Sequence, residues 1–408
     1  MRDSSKAGNR FLNEADIPLE SVLLFMAGMM LIITGALLFP ISSGRLEFYE
    51  NGLYGLLLVI FALQIITMGK TPFGDMRRSI PLLAAGVVIA IVGIATCFVT
   101  DLHTRLPRIL LFIFFGPGGL LLLLQMLLAK DKYRTWKKYG GIFRQLILGC
   151  SLVYVLSMVI ALLLWKQHLL STDLTAVVIL LFGASVIYLA GVIWKIYGTY
   201  VDKKKPSGGR FDISTDNALI LMTGIYMLVL GALLIPVNLG LLPFSGSAQL
   251  GLLMVLFAIQ MLALGSTPLG QFPRSWLMIV LGLLVASLGI VSCIVPEVLV
   301  SLLTVLVGVL NILGGMTSIA KITIPMIRQS GQSREPQPPI LKRLAVAQLT
   351  MSLLTILFGI SMLISNLIPG LILGVILAAN GCVLTYMFYL LVVLGNLEKG
   401  EVDHVSVQ

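Results

Sequence analysis

Long uncharged apolar runs constrain the fold of this chain more than any other feature of its sequence. A helix needs about 20 apolar residues to cross the roughly 30 Å hydrocarbon core of a bilayer. Runs of that length or longer occupy residues 21–44, 51–69, 79–100, 109–129, 145–165, 174–194, 217–273, 275–296, 298–320 and 344–397. The sequence therefore predicts membrane-spanning helices along most of its length.

Two of these runs are too long for one helix. Turn-forming residues interrupt them, namely Pro236, Gly240, Pro243 and Ser245-Gly246-Ser247 in the first and Asn366 and Pro369-Gly370 in the second. Because such residues mark turns, each long run divides into two spans.

Only 11% of the residues are charged, whereas a soluble domain carries roughly 25%. The prediction is an all-α, polytopic membrane protein with twelve transmembrane helices, six in each half.

One stretch of the chain occurs twice, with differences at some positions. Residues 61–79 read FALQIITMGKTPFGDMRRS and residues 257–275 read FAIQMLALGSTPLGQFPRS, an offset of 196 residues. The same offset relates Gly86, Gly93 and Cys97 to Gly282, Gly289 and Cys293. The repeat divides the chain into five parts. They are an N-terminal segment (1–20), a first membrane repeat (21–198), a basic linker (199–216), a second membrane repeat (217–397) and a tail (398–408).

The distribution of Lys and Arg predicts the orientation. If the N-terminus is inside and the spans alternate, 24 of the 28 basic residues lie inside, and only Arg45, Arg105, Arg108 and Lys166 lie outside. Cytoplasmic loops carry such an excess of basic residues. We therefore expect a multi-pass protein of the cell membrane with both termini cytoplasmic. With six helices in each half, the two repeats are parallel.

Small residues recur at a spacing of seven on several predicted helices. Seven residues at 100° each return to nearly the same face, and small residues let helices approach closely in lipid. These faces favour tight packing of odd-numbered helices, with a ligand path as the alternative. The predicted packing glycines are Gly28, Gly35, Gly86, Gly93, Gly224, Gly231, Gly282, Gly289 and Gly359.

The doubled loop is the first candidate site. Its Gly and Pro residues favour a tight cytoplasmic turn between the second and third helices, Asp75 is a candidate cap or arginine partner, and one interfacial arginine survives in both copies. Turn geometry is therefore favoured over chemistry. The residues of this loop and its copy are Gly69, Thr71, Pro72, Gly74, Asp75, Arg78, Gly265, Thr267, Pro268, Gly270 and Arg274.

Polar amides within the apolar runs are the second candidate site. An unpaired amide in hydrocarbon is costly, so these side chains are expected to face the bundle and to bond across helices. A polar substrate site near the membrane midplane is the alternative, led by the repeated pair Gln64 and Gln260. The full set is Gln64, Gln260, Gln125, Asn311 and Asn380.

The sequence carries no recognisable catalytic, metal-binding or cofactor-binding pattern. The four cysteines form no CxxC pair, and HExxH, GxSxG, P-loop and dinucleotide motifs are absent. No Asp, Glu, Lys or Arg lies deep within a predicted span, which disfavours a proton-driven pump. We therefore predict no enzyme activity, no cofactor and no nucleic-acid partner; membrane lipids and another membrane protein are the expected partners.

Glycine-rich apolar hairpins such as GMMLIITGALLFP at 28–40 resemble the short membrane repeat of HdeD-like proteins, and residues 281–319 extend the likeness to the second half. The resemblance implies two fused six-helix units. It also implies a non-enzymatic protein of envelope or acid stress, or a membrane interaction partner, and it supplies no catalytic residues.

A rival resemblance is to the major facilitator transporters, which also have two parallel halves and a doubled loop in the same places. The spacing of Gly69, Asp75, Arg77 and Arg78 does not match their loop signature. The alternative function is accordingly a facilitative transporter of a small solute with a polar midplane site.

Overall fold

The computed structural model describes residues 17–76, 79–100, 105–129, 135–166, 169–200, 215–267, 270–328, 339–364 and 369–405. Within these ranges, 12 helices are long and apolar enough to cross a membrane. The chain is an all-α, multi-pass membrane protein, as its uncharged runs predict. Both long runs divide into two helices as predicted, the first at residues 239–245 and the second between Leu363 and Gly370.

Thirteen helices are defined within the described residues. Their bounds are α1 Leu19–Ser42, α2 Glu50–Met68, α3 Ile80–Phe98, α4 Arg105–Leu128, α5 Thr135–Tyr139, α6 Ile142–Trp165, α7 Thr172–Tyr200, α8 Thr215–Asn238, α9 Gly246–Leu264, α10 Trp276–Ile294, α11 Val300–Arg328, α12 Pro339–Leu363 and α13 Gly370–Val405. The short α5 lies in the basic stretch before the fifth span. The last helix continues through most of the predicted polar tail at 398–408.

Four two-residue strands form the doubled loop. They are β1 Lys70–Thr71, β2 Gly74–Asp75, β3 Ser266–Thr267 and β4 Gly270–Gln271. Adding 196 to the bounds of α1, α2, β1, β2 and α3 gives the bounds of α8, α9, β3, β4 and α10. Local structure in this part of the chain therefore follows the sequence offset.

The structure divides into two compact units. The first comprises Met1–Asp212, Ser245–Ser266 and Gln271–Val300, and the second comprises Ile213–Phe244, Thr267–Gly270 and Ser301–Gln408. This division groups α9 and α10 with the first six spans. It therefore differs from the division at 199–216 that the sequence repeat suggests.

Each glycine-marked face lies against another helix of its own unit. A Cβ at Gly28 would meet Ile187 at 2.6 Å, and one at Gly93 would meet the Gly55 carbonyl oxygen at 2.9 Å. Without a side chain the backbones can approach closely, which is how helices pack in lipid. The contacts are Gly28 and Gly35 with α7, Gly86 and Gly93 with α2, Gly224 and Gly231 with α13, Gly282 and Gly289 with α9, and Gly359 with α11.

The helix pairing differs from a simple series of hairpins. The glycine faces of α1 and α3 lie against the even-numbered sixth and second spans, so that α1 pairs with α7, α2 with α3 and α4 with α6. In the second unit, α8 pairs with α13 and α11 with α12. The first span of each half thus packs against the last span of that half, far along the chain.

The most buried helices of the first unit are α2 and α9. Two backbone hydrogen bonds join the start of each of these helices to the end of the helix that follows the other one. The N–H of Tyr49 donates to the Ile294 carbonyl at 2.8 Å, and the N–H of Ser245 donates to the Phe98 carbonyl at 2.9 Å. Tyr49 corresponds to Ser245 and Phe98 to Ile294 by the offset of 196, so the two bonds are the same contact made in both directions. The α2–α3 and α9–α10 hairpins therefore meet with local two-fold character.

Candidate functional site

The first copy of the doubled loop is a tight β-hairpin. Gly69 ends α2 in the left-handed conformation, with φ 68°, which glycine adopts without steric cost. Lys70 pairs with Asp75 and Thr71 with Gly74. The Thr71 hydroxyl donates to the Gly74 carbonyl at 2.7 Å and accepts from the Phe73 N–H at 3.2 Å. These bonds fix the backbone of the loop.

Ser79 occupies the N-cap position of α3, so the expected capping role does not fall to Asp75.

The second copy begins in the same way. Gly265 ends α9 with φ 66°. The N–H of Phe272 donates to the Gly265 carbonyl at 2.9 Å, as Met76 does to Gly69 at 3.0 Å. Thr267 lies in β3 and Gly270 in β4, and the Arg274 side chain lies beside Gly265. Arg78 and Pro268 of the predicted loop lie outside the described residues.

Gln125 fastens the first hairpin to α4. Its Nε2 donates to the Phe73 carbonyl at 2.9 Å. A Cβ at Gly74, where φ is 132°, would lie 2.7 Å from the Gln125 amide oxygen, and one at Gly118 would lie 2.7 Å from the Pro72 carbonyl oxygen. The sequence predicted that this amide bonds across helices, with a midplane site as the alternative. In the structure it bonds to the loop and holds it in place near the end of its helix.

The hairpin forms one edge of a cavity of about 420 Å³ within the first unit. Residues of α1, α2, α4, α6 and α7 form its walls, and Trp136 of α5 contributes at the same end as the hairpin. The lining extends from the helix ends to residues near their middles, including Leu31 and Phe182. The cavity volume falls within the range typical of small-molecule sites.

The mouth of the cavity is charged and hydrogen-bonded. Glu20 at the start of α1 forms an ion pair with Lys70 of β1, and the Tyr197 hydroxyl of α7 donates to Glu20 Oε2 at 3.2 Å. Asp75, on the opposite strand of the hairpin, also lines the cavity and is exposed. Three elements distant in sequence therefore meet at this mouth, with two carboxylates and one ammonium among them.

The deeper part of the cavity is aromatic and aliphatic. Phe61 packs edge-to-face against Phe114 and Phe115, at centroid distances of 5.2 and 5.4 Å. Phe115 packs in the same way on Phe182 at 5.8 Å. The Ser157 hydroxyl donates to the Tyr154 carbonyl at 2.8 Å and also lies 3.1 Å from the Phe115 carbonyl. Its proton is thus used inside the protein, and the inner end presents mainly apolar groups.

Of the five predicted amides, Gln64 lines this cavity. Gln260 is half-buried on α9 of the same unit. Asn311 and Asn380 belong to the second unit and are buried. Asn311 Nδ2 donates to the Val307 carbonyl of its own helix at 2.8 Å, whereas Asn380 Oδ1 has no hydrogen-bond partner among the described residues.

Sequence reasoning missed the mouth and the aromatic wall as parts of one site. Glu20 lies just before the first uncharged run and Lys70 just after the second. Charges at the ends of two spans were the available signal, because adjacent spans bring such ends to the same side. The contribution of Tyr197 had no such signal, since it depends on the pairing of α1 with α7.

The described residues contain no group of three or more His, Cys, Asp or Glu side chains arranged to hold a metal ion. Comparisons with protein-family models, curated proteins and solved structures found no match to this chain. The chemistry of the cavity is therefore the basis on which a function can be inferred.

Proposed function

We propose that this multi-pass membrane protein binds a small amphipathic molecule in the cavity of its first six spans and carries out no covalent chemistry on it. One observation carries the proposal: the cavity has a charged, hydrogen-bonding mouth and an aromatic interior. A ligand with one polar end and one apolar end would satisfy both parts, because polar groups buried without partners are costly and apolar groups gain by leaving water.

The polar end of the ligand belongs at the mouth. Glu20, Asp75 and Tyr197 offer oxygen acceptors there, and Lys70 offers an ammonium donor. Trp136 adds aromatic surface at the same end, which favours a ligand bearing an amine or another cationic group. Gln64 supplies an amide on the wall. The apolar end of the ligand would lie against Phe61 and its aromatic neighbours.

The setting of the proposal comes from the sequence. Two parallel six-helix repeats in the cell membrane, with cytoplasmic termini, would place the mouth on the cytoplasmic side. The HdeD-like resemblance suggests envelope or acid stress as the circumstance in which binding matters. Membrane lipids would surround the protein, and a second membrane protein remains a proposed partner.

Native mass spectrometry of protein released gently from its membrane tests binding directly. We expect the wild-type chain to retain one small amphipathic molecule. Ala27 lines the cavity from α1, so Ala27→Phe should displace that molecule. Ala36 lies on the same helix but is exposed, so Ala36→Phe should retain it. Failure of the wild-type chain to retain a molecule, or equal retention by Ala27→Phe, would overturn the proposal.

Facilitative transport is the second candidate. The observation that favours it is the reach of the cavity, whose lining extends from the charged helix ends to residues near the middles of the spans, where transporters bind their solutes. In liposomes loaded with the molecule identified above, transport predicts saturable release that Gln64→Leu slows. Binding of the molecule without its release would support the binding function and exclude transport.

A further inference from the structure

A second concave surface lies in the second unit, between α12 and α13. It is an open groove of about 540 Å³ whose lining includes Lys342, Arg343, Val346, Thr350, Cys382 and Tyr386. This set is called the α12–α13 groove below. It shares no residue with the cavity of the first unit.

Both charges of the groove lie at one end. Lys342 and Arg343 are adjacent and exposed near the start of α12, and the next 20 residues carry no charge. Among the described residues, no carboxylate forms an ion pair with either of them. The groove therefore has a cationic end at the edge of a predicted span, which is where lipid headgroups lie.

The rest of the groove is apolar and open. Val346 is 65% exposed and Tyr386 is 43% exposed, so this surface faces outward within the length of the predicted spans. The Thr350 hydroxyl donates to the Val346 carbonyl of its own helix at 2.9 Å. Its proton is thereby used inside the helix, and the walls beyond the cationic end suit a hydrocarbon chain.

We propose that the α12–α13 groove binds an anionic phospholipid, with its phosphate at Lys342 and Arg343 and one acyl chain along the apolar walls. A guanidinium binds phosphate oxygens through two parallel hydrogen bonds, and an ammonium adds a second positive charge. Basic pockets between helices on the cytoplasmic side of a membrane suit such headgroups. Two cations together select a net negative headgroup over a zwitterionic one.

The test uses purified full-length protein in detergent with equal amounts of phosphatidylglycerol and phosphatidylcholine, followed by native mass spectrometry. The wild-type chain is expected to retain phosphatidylglycerol preferentially. The double variant Lys342→Gln/Arg343→Gln should bind it at least about tenfold more weakly, because each basic residue near the surface contributes substantially to such binding. Val346→Trp, which fills the groove and keeps both charges, should also lower retention.

The matched control removes two exposed cations near the start of the fifth span, through Lys138→Gln and Arg144→Gln. It should retain phosphatidylglycerol as the wild-type chain does, and all variants should elute as monodisperse protein with similar melting temperatures. Equal retention of the two lipids by the wild-type chain would overturn the proposal. So would undiminished binding by both groove variants, or an equal loss in the control.

Discussion

Gly52 lies so close to Cys293 that a Cβ built on Gly52 would be 1.9 Å from the Cys293 carbonyl oxygen. The contact joins α2 to α10 where the two hairpins of the first unit meet. A side chain of any size there must displace backbone. Gly52→Ala should therefore destabilise the folded protein by about 1–3 kcal/mol, the usual cost of overpacking a tight core, which a melting curve in detergent would measure.

Gly191→Ala is the control for this substitution. Gly191 lies within α7, and a Cβ there would meet no heavy atom of the described residues within 4 Å outside its own helix backbone. Alanine at such a helix position is more stable than glycine by roughly 0.5–1 kcal/mol. The control should melt at or slightly above the wild-type temperature. A Gly52→Ala protein that melts equally high would contradict the close contact.

If the two repeats are parallel, as we expect from the sequence, the loops that can be labelled from outside the cell follow from the offset. Ser43 and Leu239 are related by the offset of 196, as are Met76 and Phe272, and all four are exposed. In a Cys382→Ala background, single cysteines at the first pair should react with a membrane-impermeant maleimide on intact cells. Cysteines at the second pair should react only after permeabilisation.

The permeabilised sample is the control, because every one of the four cysteines should react there. If the repeats were inverted, the second residue of each pair would lie on the opposite side of the membrane from the first. The cysteine at Leu239 would then be protected in intact cells and the cysteine at Phe272 would react. That outcome would contradict both the parallel arrangement and the positive-inside assignment.

The bond from Gln125 to the Phe73 carbonyl should protect the hairpin at residues 69–76 from solvent. Gln125→Leu removes it at a cost of about 1 kcal/mol, typical of one hydrogen bond. Hydrogen–deuterium exchange of the peptide spanning residues 69–76 should accelerate severalfold. Gln145→Leu, an exposed amide on α6, should leave exchange of this peptide unchanged; an equal effect in both variants would indicate general destabilisation.

The ion pair between Glu20 and Lys70 should tolerate exchange of its charges. Either Glu20→Lys or Lys70→Glu alone places like charges at the cavity mouth and should lower the melting temperature. The double swap should recover most of the loss. Because the Lys70 side chain is 37% exposed, we expect a coupling energy of only about 0.2–1 kcal/mol, and added salt should reduce it.

A double-mutant cycle at low and at high salt measures this coupling. The Gln64→Leu variant serves as the comparison, since it alters the same cavity without altering charge. If the double swap were only as stable as the sum of the single changes predicts, the two side chains would not interact in the folded protein.

The membrane spans could be predicted because each depends only on its own residues. Length and the absence of charge define a span, and glycine or proline defines its end. The glycine spacing also identified which face of a helix packs closely. It did not identify the partner, because Gly28 fits any smooth helix surface and the pairing of α1 with α7 depends on the whole bundle.

The cavity could be predicted only in part. Gln64 stood out because the repeat preserved it, and it does line the cavity. Gln125 stood out for being polar, yet its place near the end of α4 put it level with the hairpin. The mouth combines residues of α1, β1 and α7, and no local pattern in the sequence brings those three together.

The grouping of α9 and α10 with the first unit has a consequence for synthesis. A chain emerging from the ribosome cannot complete that unit when its sixth span has been inserted, since two of its helices are still to come. Meanwhile α8 enters the bilayer long before its partner α13 exists. Biogenesis of this protein must therefore pass through a state in which the α2–α3 hairpin and α8 are both exposed to lipid or to insertion chaperones.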